Sequence, residues 1–456
     1  MTWLAAFVKW LMSLLNPRQR TDPPQPGKEE NVTPATIRRP WTFMVYMAGD
    51  NGKIFDSKLG KIKLMDPMEA AGYTDLMKMG EIGTTANVAV ACLFDTPTET
   101  YLIEVRKGRG FTDSAVRRIP AVNTGDPNTL RQFIVQAIKA YPADHYALVI
   151  WNHGTGWLDT DVYAVTSSDD PDAQSHGAIF RTTPQQISGG DKTRPIAFDD
   201  SSKDFLDTAD LRKALAEAEK AAGARLDVIG MDACLMAMVE GAAELAPYGD
   251  FFVASQEVEP MYGWPYAPVL QALDSQPGLA PAALADVIVT EFARFYGGRT
   301  RQDTVTQSAM ALARTEATEK LCKALVDSIL ADATPGLRTL IRKARKNTLT
   351  FQDRNYCDLG DFAGQVFSQT DFEGYDAVAQ AAASLRDHLT GRGPNAAVLR
   401  VGFLDKYERA NGLSVYAPPE SQAASQRQAA LNHYRGLAFA QRTGWDRLIE
   451  WLYDEF

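Results

Sequence analysis

Unbroken apolar runs alternate along this chain with stretches whose apolar positions recur every three or four residues. The runs at 41–48, 87–94, 146–151, 226–231 and 251–255 are short and rich in β-formers, which predicts strands buried on both faces. A shorter one is predicted at 101–105. Between them, Pro127–Ala140 carries Leu130, Phe133, Ile134 and Ile138 on one stripe, and with Thr208–Ala222 it predicts amphipathic helices. A further helix is expected over 235–245. Later segments predict helices at 280–296, 316–330 and 376–389, strands at 308–313, 396–401 and 412–416, and a helical tail from Glu420. Strands separated by helices imply an α/β fold with a mostly parallel central sheet, whose ligands bind beyond the carboxyl ends of the strands.

Two segments break this rhythm. Residues 1–17 form an apolar helix with Trp3, Phe7, Trp10, Leu11 and Leu14 on one stripe, too short to span a bilayer comfortably. It suits a membrane surface, a partner or activator protein, or a signal-like role. The Pro-, Gly- and charge-rich residues 18–39 read as a flexible linker. The second break, 158–203, is polar and longer than structure-free connections usually are, so a functional insertion is expected. The organisation expected is a core over 40–300 and a C-terminal portion over 301–456.

Composition narrows the chemistry. With 456 residues, 47 basic against 57 acidic side chains and a net charge of −10, nucleic acid is excluded as the main partner. Four cysteines in so long a chain are not a disulfide framework. No Cys-x-x-Cys, His-Glu-x-x-His or phosphate-binding loop occurs, so zinc and nucleotide chemistry have no support. Among the four cysteines and five histidines, only His153 and Cys234 directly follow predicted strands. A thiol opening the helix after its strand would have its pKa lowered by the helix terminus, and Gly154 would admit a substrate backbone beside His153. The same positions suit a structural histidine and an inert core cysteine. Cys92 and Cys322 read as core, and Cys357 stands near a helix start.

The sequence also carries, in order, WTFMVYMAGDN, IWNHGTGW, AFDDSSKDFLDTADLRKAL, LDVIGMDACLMAMVEGAAEL and ASQEVEPMYGWPY, followed by DLGDFA and GLSVYAP. These motifs resemble the clostripain family of cysteine peptidases (peptidase family C11) over roughly 41–419. The resemblance implies a caspase-like α/β/α sandwich with a C-terminal α/β extension. It implies an endopeptidase that cleaves after Arg or Lys, with His153 and Cys234 as its catalytic pair. The backbone N–H groups of Gly154 and Cys234 would hold the oxyanion. Asp232 would meet the substrate's basic side chain in the S1 pocket, with Tyr262 and Trp264 lining it. Tyr262 departs from the family pattern, which carries an acid there. The insertion lies where relatives are cut on activation, so a zymogen is expected, with self-cleavage after Arg181, Lys192, Arg194 or Lys203. No cofactor is expected to be required and no metal site is assigned; some relatives need calcium, for which Asp169-Asp170 and Asp199-Asp200 offer oxygen ligands. The alternative is a non-catalytic signalling module on the same scaffold. With no clean signal peptide and unpaired cysteines, a cytoplasmic, membrane-associated location is expected over export.

Overall fold

The computed structural model describes residues 24–27, 37–50, 67–157, 196–199, 201–202, 204–298, 305–371, 373–392 and 396–453. The apolar helix at 1–17 and the four cleavage candidates Arg181, Lys192, Arg194 and Lys203 lie outside them.

Among the described residues thirteen strands follow in order: β1 Arg39–Ala48, β2 Val88–Asp95, β3 Thr100–Glu104, β4 Ala115–Ile119, β5 Ala143–Trp151, β6 Ile196–Asp199, β7 Asp204–Leu206, β8 Val228–Asp232, β9 Phe251–Ala254, β10 Thr306–Ala311, β11 Tyr356–Asp358, β12 Val398–Phe403 and β13 Ser414–Tyr416. Nine of them form one sheet in the order β12-β10-β9-β8-β5-β1-β2-β3-β4. The central strands β9, β8, β5, β1 and β2 run parallel. Antiparallel pairs finish both edges.

The centre is parallel because its strands are apolar on both faces. In β1, Phe43, Val45 and Met47 point into one core while Met44, Tyr46 and Ala48 point into the other. Helices α2 Pro127–Ala140 and α3 Thr208–Ala222 cover the second face. Helices α1 Pro67–Gly80, α5 Tyr266–Ser275 and α6 Pro281–Gly297 cover the first. Local chemistry sets their ends. Asp126 caps α2 by accepting from Asn128 N–H with Pro127 in the first turn, and Gly223 closes α3 in the left-handed conformation. This is the α/β/α sandwich expected.

Residues beyond 300 extend the same sheet. Strands β10 and β12 stand at its edge, so it runs through the boundary expected there. The strand expected at 412–416 is β13, which pairs with β11 in a separate two-stranded sheet. The last helices, Ala424–Tyr434, Ala438–Thr443 and Trp445–Tyr453, bear out the helical tail and join the core that receives α2. Cys92, Cys322 and Cys357 are buried free thiols. Among the described residues no helix is long and apolar enough to cross a membrane.

Candidate active site

Strands β5 and β8 are parallel neighbours in a register that sets Trp151 opposite Asp232. Two residues further on, the chain reaches His153 on one strand and Cys234 on the other, at the same height. Asn152 N–H donates to Asp232 O at 3.3 Å and carries the alignment past the ladder. The Asn152 side chain ties the His153 turn down, donating to Ala48 O and accepting from His153 N–H, both at 2.5 Å. Gly154 then passes so close that an added Cβ would lie 2.4 Å from Cys234 O. A side chain there would force the two strand ends apart, which is the physical reason for glycine.

The surroundings of Cys234 differ from expectation in one respect. No helix begins at the thiol. Leu235 adopts φ +63°, a left-handed conformation that a leucine takes only when its surroundings hold it, and α4 starts later, at Val239–Leu245. The strained turn is pinned from the facing loop: Leu235 N–H donates to Glu257 O at 3.1 Å and Ala237 N–H to Ser255 O at 2.8 Å. The helix-terminus route to a low thiol pKa is therefore absent. Cys234 is instead 8% exposed. Its Sγ accepts Glu259 N–H at 3.3 Å and donates toward Glu259 O at 3.9 Å. Burial pushes the thiol up to about 12, and Glu259, Glu257 and Asp232 reinforce the rise. Desolvation likewise pushes His153 down to about 4. Both shifts favour the uncharged form of each partner in this conformation.

Asp232 is buried on the α1 side of the sheet. It accepts Trp264 N–H at 3.0 Å and Tyr266 O–H at 2.8 Å. Burial raises its pKa while these donors and a hydrogen bond with the Glu259 carboxyl oppose the rise. Trp264 reaches Asp232 through its backbone only. Its ring is fully buried over Gly230, where an added Cβ would lie 2.7 Å away. Tyr262 is half-buried and contributes its carbonyl, which accepts from the Lys78 ammonium.

Three residues here went unassigned in the sequence. Asp75 on α1 accepts Trp151 Nε1–H at 2.7 Å and binds Lys78 at 2.5 Å, both side chains being buried. Lys78 also donates to Trp264 O at 3.4 Å. Gly263, at φ +56°, closes over the group, since a Cβ there would sit 3.0 Å from Asp232 Oδ2 and 3.1 Å from Asp75 Oδ2. Glu259 is the third residue. Two charges three apart on the apolar segment PMEAAGYTDLMKMG were the available signal for Asp75 and Lys78.

Of the carboxylates weighed for calcium, Asp169, Asp170 and Asp200 lie outside the described residues. Asp199 meets Asp50 and Asp95, with one oxygen from each inside 4.8 Å of the others and all three buried. Asp199 accepts Thr124 N–H at 3.0 Å and Ser202 N–H at 2.7 Å, and Asp95 accepts Thr100 O–H at 2.5 Å. Burial together with Asp199 and Asp50 lifts Asp95 to about 8. Three crowded carboxylates of this kind fit a hard, oxygen-seeking cation.

A family model described as the clostripain family, Peptidase_C11, matches residues 66–168 and 173–451. The fold is similar to a secreted C11 cysteine protease from Bacteroides thetaiotaomicron solved with an irreversible peptide inhibitor, at TM-score 0.58 and 19% identity, covering 89% of this chain and 99% of that one. It is also similar to an inactive zymogen C11 protease from Parabacteroides distasonis, at TM-score 0.54 and 17% identity, covering 90% and 99%. Among curated proteins no match is found.

Proposed function

The chain belongs to the clostripain family of C11 cysteine proteases, and from that membership we propose that it is an endopeptidase cutting after Arg or Lys through Cys234 and His153. A cysteine protease acts on proteins or peptides; the basic P1 residue is our reading. The observation that carries it is the β5–β8 register, which delivers the histidine and the thiol to one height at the carboxyl edge of the sheet.

In this mechanism the Cys234 thiolate attacks the scissile carbonyl. The oxyanion is held by the N–H groups of Gly154 and Cys234. His153 takes the thiol proton and gives it to the leaving amine, and water then hydrolyses the thioester. The resting pair is neutral, with a thiol near 12 and an imidazole near 4. Activation would loosen the Glu259 contacts and open the site to water. We assign that control to the 158–203 insertion, cut after Arg181, Lys192, Arg194 or Lys203, with an activator or surface acting through residues 1–17 as a further input. The inactive zymogen among the structural relatives supports this reading.

Intact-mass spectrometry with an arginine-directed covalent inhibitor tests both parts. One inhibitor mass should localise to Cys234, and the wild-type chain should be cut within the insertion while Cys234→Ala stays whole. Labelling at another residue would overturn the nucleophile. The same cuts in Cys234→Ala would overturn self-processing.

Calcium is carried as part of the proposal. Asp50, Asp95 and Asp199 would hold it, and its charge would relieve their mutual repulsion and brace the ends of β1 and β2. Added calcium should raise the melting temperature of the wild type and leave that of Asp95→Asn unmoved; an equal response in both excludes the site.

The cytoplasmic location expected from the sequence is corrected. The Bacteroides thetaiotaomicron relative is a secreted protease, which points to export.

A further inference from the structure

Beneath the thiol, three carboxyl groups converge from three parts of the fold: Asp75 on α1, Asp232 at the end of β8 and Glu259 on the loop after β9. Each is at most 5% exposed. Among the described residues the cation bonded to this group is Lys78, and it is bound to Asp75 at 2.5 Å. Asp232 and Glu259, joined carboxyl to carboxyl, are left with no cation between them.

Two touching carboxyls in a buried site cannot both ionise, so the pair holds one proton. The donors decide which member keeps it. Asp232 accepts Trp264 N–H and Tyr266 O–H, which stabilise its anion. Glu259 has Gln307 Nε2 at 3.2 Å and the Trp264 side chain beside it as donors, but its Oε2 lacks a well-formed hydrogen bond. The proton therefore rests on Glu259 and the negative charge on Asp232. The group is short of one positive charge, and it lies under the nucleophile. Glu259 also makes both hydrogen bonds to the Cys234 sulfur through its backbone.

We infer that Glu259 is a second, latent acid of the P1 site, which gives up its proton when the guanidinium or ammonium of a basic P1 side chain enters beside Asp232. The inference rests on the basic-P1 reading and adds to it. It places a second carboxyl group at the site, where position 262 carries a tyrosine. It also makes recognition of the basic side chain act on the residue whose backbone holds the thiol.

The sign of the pH dependence follows. In the free enzyme Glu259 stays protonated, because burial and Asp232 both favour the neutral form. A bound cation favours the charged form and lowers that pKa. Between the bound and free values, cation binding releases a proton, so affinity rises with pH by up to about tenfold per unit. The other ionisable groups facing this pair are Asp75 and Lys78 from α1, Tyr266 from α5, and Cys234 and Glu257 from the two facing loops.

Calorimetric titration of benzamidine into the full chain, in buffers of differing ionisation heat, counts the protons released. The wild type should release about one proton per benzamidine bound, and Glu259→Gln about none. For P1-Arg peptides the KM should fall with rising pH in the wild type and stay flat in Glu259→Gln. Melting curves establish that the variant is folded. If Glu259→Gln is unfolded, the proton count and the KM profile of the wild type decide alone. Benzamidine binding with equal proton release in both proteins overturns the role of Glu259 and leaves the P1 reading intact. Failure of benzamidine to bind wild-type protein that has been cut in the insertion and cleaves peptides overturns both.

Discussion

Cys234→Ala is expected to remove cleavage of Arg- and Lys-containing fluorogenic peptides, lowering kcat on the order of 10⁴ to 10⁶-fold, and His153→Ala should fall into the same range. The two losses should be similar because the residues act as a unit. An amine leaves a tetrahedral intermediate only when protonated, and in the proposed mechanism His153 carries that proton. Removing the thiol removes the covalent route altogether. The double variant should be scarcely worse than either single one. Fold loss does not explain such an effect. Cys234 is a small side chain in a turn, and its truncation leaves the Leu235 and Ala237 backbone bonds in place. Melting temperatures within a few degrees of wild type are the control. Retention of more than a few per cent of kcat in either variant would reject the assignment.

The resting thiol, pushed up to about 12, makes the same experiment informative about activation. A thiol held that high is almost wholly protonated at pH 7, and the thiolate is the nucleophile. Burial that packs the site well also disfavours charge on both Cys234 and His153 in this conformation.

Parts of this site were open to reading in the sequence and parts were not, for physical reasons. The strands ending at Trp151 and Asp232 were legible because parallel strands buried on both faces read as continuous apolar runs. Their adjacency put His153 beside Cys234. The turn after Cys234 was not legible, because nothing local in Cys-Leu-Met marks Leu235 as left-handed. That conformation is imposed by the loop at 255–257. The helix-activated thiol expected from the sequence fell with it. Asp75 and Lys78 were unread because their helix presents no clean stripe, carrying a buried ion pair on an apolar segment. Glu259 stood in a quoted motif yet had no role, since its meaning comes from the carboxyl it meets across the fold. The calcium expectation shows the same limit. Asp199 was picked out beside Asp200, whereas its partners are Asp50 and Asp95, brought together by the ends of β1 and β2.

Asp232→Asn should reduce kcat/KM for P1-Arg and P1-Lys peptides by about 10²- to 10³-fold, equivalent to roughly 3 to 4 kcal/mol, while changing neutral-P1 peptides far less. Asparagine nearly matches the shape of aspartate, and its carbonyl oxygen can still accept the Trp264 N–H and Tyr266 O–H bonds. What it removes is the formal charge that a guanidinium would pair with, together with the bidentate geometry of that pairing. Guanidinium has no acceptor and no neutral state at working pH, so a buried Arg side chain that loses the Asp232 carboxylate bears a large part of its desolvation cost. The ratio of basic to neutral substrates is therefore the decisive measurement. A general disturbance of the loop over Asp232, or of the Glu259 backbone that holds the thiol, would slow both substrates together and leave the ratio standing. A ratio within about threefold of wild type would take Asp232 out of P1 recognition and return it to a purely structural part, holding the Trp264 turn against the sheet.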